Sequence, residues 1–80
     1  MKLSYKETRE LASLPDEISA LEAEQHALSA KMVSPEYYRQ PAELLRADQA
    51  RNAEIEKLLT EKLERWEALE AKAKAAAPQG

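Results

Sequence analysis

The chain contains no cysteine and no phenylalanine, and its only glycine and only histidine are Gly80 and His26. Without thiols there is no disulfide framework and no thiolate site, in keeping with a cytosolic setting. Without an internal glycine, no phosphate-cradling loop of the nucleotide-binding type can form. His26 has no cysteine and no evident serine partner, so nucleophilic catalysis lacks a base and a metal lacks a convergent ligand set. We expect it to face solvent. The carboxylate pairs Glu22 with Glu24 and Glu54 with Glu56 stand two apart on different helix faces, so they form no acid/base dyad. No stretch approaches the roughly 18 to 20 apolar residues of a membrane span, and the start MKLSYKE lacks the apolar core of a signal peptide. Neither membrane insertion nor export is expected.

What is present is periodicity. Charged side chains make up 34% of the chain. That composition suits one elongated helical unit with a thin apolar stripe better than a globule. Leu11, Leu14, Ile18, Leu21, Gln25, Leu28 and Met32 keep a 3,4 spacing. Read backward, so do Trp66, Lys62, Leu59, Ile55, Asn52, Asp48 and Leu45. Folding the chain about Tyr37 and Tyr38 sets the two runs face to face, with partner numbers totalling 76 or 77. The expected fold is all-α: a two-stranded antiparallel coiled-coil hairpin, its first arm kinked at Pro15, with a short helical turn at the tip. We divide the single domain, residues 1–80, into a helical arm 4–33, a tip 34–40, a return helix 41–74 and a frayed tail 75–80.

Local signals agree with this division. Ser4 and Glu7 read as a capping box. Pro15, which lacks an N–H and crowds the preceding turn, is expected to interrupt the first helix near Leu14, with Asp16 and Glu17 in the first turn of a restarted one. Ser34-Pro35 and Gln40-Pro41 each open a new segment, the second starting the return helix. Within that helix, Glu61 with Arg65 and Glu70 with Lys74 are spaced as i,i+4 pairs.

Several seam positions are polar. Gln25 opposite Asn52 either hydrogen-bonds across the seam and fixes its register, or stays wet where the helices splay. Asp48 facing Leu28 and Lys62 facing Leu14 are expected to snorkel to the stripe's edge, while Leu44, Leu58 and Leu63 widen it. Trp66 should plug the core opposite Leu11, with Tyr5 beside Leu69 in the same end cluster. At the tip, one tyrosine should fold under near Met32 and Leu45, leaving the other exposed.

The net charge of −3 conceals an uneven distribution. Residues 2–10 and 57–74, brought together at the open end, carry eight basic and six acidic side chains; the remainder carries four and nine. Basic side chains near aromatics suit nucleic acid, yet the interleaved Glu7, Glu10, Glu61, Glu64, Glu67 and Glu70 point to weak, salt-dependent binding.

Three segments carry a resemblance: KLSYKETRELASLPDEISALEAEQ at 2–25, SPEYYRQPAEL at 34–44 and ERWEALE at 64–70. Together they resemble the C-terminal domain of the Uup branch of the ABC-F ATPases over about residues 2–70. The most specific pieces are Lys2-Leu3-Ser4-Tyr5-Lys6, the Leu14-Pro15 break and Arg65-Trp66-Glu67. The resemblance implies a cytoplasmic ATPase with two cassettes and no membrane domain, whose terminal coiled-coil arm binds DNA. It further implies that the cassettes lie upstream, that Met1 marks a cut end, and that ATP and magnesium serve the cassettes while this domain, itself non-catalytic, holds no cofactor. The expected nucleic-acid contacts are Lys2, Lys6 and Arg9 with Lys62, Arg65, Lys72 and Lys74. DNA is the expected partner, with ribosomal RNA and the ATPase cassettes as further ones, and the domain is expected to be a monomer. The alternative is a structural or protein-interaction coiled coil, a spacer or docking arm to the cassettes, the ribosome or a second copy.

Overall fold

The computed structural model describes residues 2–76. Two long helices, α1 (Tyr5–Met32) and α2 (Ala42–Ala76), run antiparallel and are joined by a 3-10 turn over Pro35–Arg39. The result is a rod measuring 61 × 19 × 15 Å. The all-α hairpin inferred from the mirrored seam is therefore the observed architecture.

Each boundary has a local cause. The Ser4 backbone N–H donates to Glu7 Oε1 at 2.9 Å and the Glu7 N–H donates to Ser4 Oγ at 3.1 Å. The capping box thus satisfies two end donors reciprocally. α1 then runs unbroken through Pro15, and the separate short helix and restart expected there are replaced by one continuous helix. Proline at this point removes the N–H that would bond the Leu11 carbonyl, but the apolar spacing keeps its phase on both sides and packing holds the helix together. At the tip, Ser34 and Gln40 both take extended backbone, with ψ 133° and ψ 157°. Residues before proline are pushed to that region by the following ring. The turn between them closes with the Gln40 N–H donating to the Tyr37 carbonyl at 3.2 Å. α2 continues through Ala76, so positions 75 and 76 of the expected tail are helical, while 77–80 lie outside the described residues.

The core is one narrow file: Leu14, Ile18, Tyr37, Ile55 and Leu69 are buried. Tyr37 is the tyrosine that folds under the tip, and Tyr38 stands out at 67% exposure. The rings meet edge to face with centroids 5.2 Å apart, an arrangement that sets the positive edge of one against the negative face of the other. Trp66 is half-buried, a partial plug, and His26 faces solvent as expected. Of the three leucines expected to widen the stripe, Leu58 is half-buried while Leu44 and Leu63 are exposed. Tyr5 does not pack beside Leu69. It is 79% exposed, because the seam phase at the start of α1 falls on Ser4 and Glu7 and turns position 5 outward.

Candidate nucleic-acid interface

A ladder of ion pairs lines one flank of the seam. Glu10, Glu17, Glu24 and Lys31 recur every seven residues on α1, directly before the seam positions Leu11, Ile18, Gln25 and Met32, as flanking charges do in a heptad repeat. Arg65 grips Glu10 with two bonds, from Nε at 2.8 Å and from a terminal nitrogen at 2.9 Å. Lys62 reaches Glu17 at 2.7 Å, and Arg51 holds Glu24 with bonds of 2.6 and 2.7 Å while also bonding Glu54. Nearest the tip the polarity reverses: Lys31 on α1 pairs with Asp48 on α2 at 2.9 Å.

Leu44, Arg51, Leu58 and Arg65 alternate at seven-residue steps along the facing edge of α2. Where that edge offers leucine, the seam residue one turn further on supplies the charge: Asp48 after Leu44 and Lys62 after Leu58. Where it offers arginine, the residue one turn further on is the buried Ile55 or Leu69. On the opposite flank, Glu22 and Glu56 occupy matching positions, and no ion pair closes there among the described residues.

The ladder straddles the register of the mirrored seam, its partner numbers totalling 79 for Glu17–Lys62 and Lys31–Asp48 and 75 for Glu10–Arg65 and Glu24–Arg51. Lys62 and Asp48 sit at the edge of the stripe, as snorkelling requires, but their partners lie three residues nearer the tip than Leu14 and Leu28. Gln25 and Asn52 are half-buried and make no bond to each other among the described residues, so no hydrogen bond between them fixes the register. Nor do the within-helix pairs Glu61–Arg65 and Glu70–Lys74 close. Arg65 turns across to α1, where a carboxylate is available to both prongs of its fork.

The open end gathers the expected contact residues and divides them. Lys72 Nζ touches both oxygens of Glu7 at 2.9 and 3.0 Å, which brings the last turns of α2 beside the start of α1. Arg65 also comes within 3.9 Å of Glu7. Lys62, Arg65 and Lys72 are thus engaged by α1 carboxylates, whereas Lys2, Lys6, Arg9 and Lys74 have no ion-pair partner among the described residues. The Arg9 guanidinium lies 5.9 Å from the Tyr5 ring centroid. This is a cation–π platform in solvent, which seam periodicity does not reveal. Its signal in the sequence is the i,i+4 spacing of an aromatic and an arginine.

These contacts shift the carboxyls. Glu7 is lowered from 4.5 to about 2, first by the Ser4 backbone N–H and then by Lys72, because hydrogen bonds and a nearby cation both favour the charged form. Glu10, Glu17, Glu24 and Asp48 are likewise held below the usual carboxylate range, by Arg65, Lys62, Arg51 and Lys31 respectively. Among the described residues there is no enclosed cavity, no cluster of potential metal ligands and no helix long and apolar enough to cross a membrane. What the arrangement offers is a charged outer surface.

The fold and its ladder define a two-helix coiled-coil arm with a basic open end. Residues 2–71 match the ABC transporter C-terminal domain family, to which the chain belongs. It is 41% identical over 70 residues to the ATP-binding protein Uup of Escherichia coli (strain K12), covering 88% of this chain and 11% of that protein. Against the ATP-binding protein Uup-like of Haemophilus influenzae it is 38% identical over 72 residues, 90% of this chain and 16% of that one. The chain therefore spans only a small fraction of the curated relatives it matches. A solved structure of the C-terminal domain of the Uup protein, described as a DNA-binding coiled coil motif, superposes with a TM-score of 0.83. It is 39% identical, and the match covers 90% of this chain and 85% of that one.

Proposed function

We propose that this chain is the DNA-binding arm of an ABC-type ATPase, meeting the phosphate backbone through its open end. The observation that carries this reading is the cluster of Lys2, Lys6, Arg9 and Lys74, uncommitted to any described carboxylate, on a fold that matches a DNA-binding coiled coil. In this reading Lys62, Arg65 and Lys72, each already holding a carboxylate, complete the patch. The domain is non-catalytic in this reading. ATP and magnesium belong to cassettes elsewhere in a longer cytoplasmic protein, and the arm acts as a monomer.

Labelled duplex DNA, branched DNA and RNA titrated with the chain over a salt series test the proposal. Expected is weak binding whose logarithm falls linearly with the logarithm of salt, by about 0.9 per phosphate neutralised on duplex. The triple change Lys2→Glu, Lys6→Glu, Arg9→Glu should abolish it. Absence of binding at low salt would overturn the reading, and tighter binding of RNA than of either DNA would move the ligand to RNA.

A second reading rests on the tip, where Val33, Tyr38 and Leu44 are all exposed. As a docking arm, the hairpin would meet the cassettes, the ribosome or a second copy there. Sedimentation against concentration tests the last of these, and a monomer at all concentrations would exclude it.

A further inference from the structure

The open end holds its own competitor for phosphate. Arg65 presents a planar fork that suits either a carboxylate or a phosphate, and Glu10 occupies it with two bonds of 2.8 and 2.9 Å. Lys72, a compact cation equally suited to phosphate, is occupied by both oxygens of Glu7. Both cations remain reachable, Arg65 with 45% and Lys72 with 34% of its side chain exposed, so a nucleic acid backbone can approach without unfolding the hairpin. To be contacted by phosphate, each must either share itself or release its carboxylate. Release leaves a bare anion beside the polyanion.

Glu7 and Glu10 differ from the other acids of this end. Glu61, Glu64, Glu67 and Glu70 are exposed and have no ion-pair partner among the described residues. They repel DNA through the general field only, which salt screens. Glu7 and Glu10 instead sit on the groups a phosphate would use.

We propose that Glu7 and Glu10 act as an intramolecular mimic of the nucleic acid backbone, holding Lys72 and Arg65 out of use and thereby setting the arm's affinity low. The inference rests on the DNA-binding reading above and names what regulates that same site. Any event that draws the two carboxylates away, such as a partner's cation binding them, would add two phosphate contacts without moving either helix. The spacing of the ladder makes this switch local, because the next cross-helix pair, Glu17 with Lys62, lies a full heptad beyond Glu10.

Glutamine substitutions test it cleanly. At the third helical position a glutamine can still accept the Ser4 N–H, so Glu7→Gln keeps the capping box while removing the charge that holds Lys72. Glu10→Gln touches no cap. The control is Glu64→Gln with Glu67→Gln, which changes the net charge of the same end equally but frees no cation. Fluorescence anisotropy with a labelled duplex, read over a salt series alongside circular dichroism to verify helicity, gives affinity and salt slope together. The Glu7→Gln, Glu10→Gln chain is expected to bind about threefold to tenfold tighter than the control, with a salt slope steeper by about 1 to 2. Should the double change lose helicity, Glu10→Gln alone is read, and a slope steeper by about 1 is expected. An affinity gain equal to the control's with an unchanged slope overturns the inference and leaves the DNA reading standing. If no variant binds at low salt, the DNA reading itself falls.

Discussion

The Tyr37 hydroxyl donates a 3.1 Å hydrogen bond to Asp48, a carboxylate on the opposite side of the tip that Lys31 also holds. This ties the 3-10 turn to both helices at once: Tyr37 belongs to the turn, Lys31 to the last turn of α1 and Asp48 to the second turn of α2. The Lys31 ammonium further lies 5.9 Å from the Tyr37 ring centroid, within reach of a cation–π attraction. Burial and the neighbouring carboxylate both push the phenol's pKa upward, so it stays a donor throughout the neutral range. Tyr37→Phe should therefore lower the melting temperature by about 4–8 °C, the share of one hydrogen bond in a domain of this size. Tyr38→Ala should leave it nearly unchanged. Thermal melts followed at the helical circular-dichroism band distinguish the two.

Ile55 is fully buried, one of only five buried side chains among the described residues. Ile55→Ala should cost about 2–5 kcal/mol through lost transfer and the cavity left behind, enough to unfold much of a thin hairpin. Leu44 is 51% exposed. Leu44→Ala should stay within about 0.5 kcal/mol. Urea titration of both chains measures the contrast.

Acid should loosen the rod in a defined window. The carboxyls of the ladder are depressed in the folded state, so the stability they contribute is fully present above their unfolded values and is lost as the pH falls through the folded ones. For Glu7 that window runs from 4.5 down to about 2. Melting temperature should be level from neutral pH to about 5 and then decline toward about pH 2. Glu7→Gln should flatten the lowest part of the decline while removing some stability at neutral pH. High salt should shrink the whole effect.

The Lys62–Glu17 contact offers a test of the ladder. Lys62→Glu alone and Glu17→Lys alone should each lower the melting temperature, and the two together should recover most of the loss. Were the two side chains not in contact, the combined exchange would recover nothing. The comparison belongs at low ionic strength, where a half-exposed pair is least screened.

The hairpin was legible because apolar spacing is a property of many residues acting together. Leu11 through Met32 and Leu45 through Trp66 each repeat the same 3,4 step, and no single substitution could hide it. Tip and cap were legible for a different reason. Pro35 and Pro41 restrict the residues before them, and Ser4 with Glu7 can satisfy orphan donors locally, so neither needs knowledge of the rest of the chain. What spacing could not decide was the choice of partner by long side chains. Arg65 had Glu61 one turn behind it and Glu10 across the seam, and only the packed geometry makes the second reachable with two bonds. Spacing likewise sets Gln25 opposite Asn52 without deciding whether the two amides bond. Pro15 marks the opposite limit: α1 continues through it as one helix, a local breaker overruled by apolar packing on either side.

The reversed pair at the tip gives the rod a detent. Sliding α1 by one heptad along α2 in one direction would carry Arg51 to Lys31, cation against cation, and sliding it the other way would carry Asp48 to Glu24, anion against anion. Leucine stripes alone would tolerate either slip, since one heptad looks much like the next. The connecting turn already limits such sliding within one molecule. Between two molecules that exchange arms while crowded and newly made, no turn polices the alignment, and there the misplaced charges would leave only the native offset to click into place.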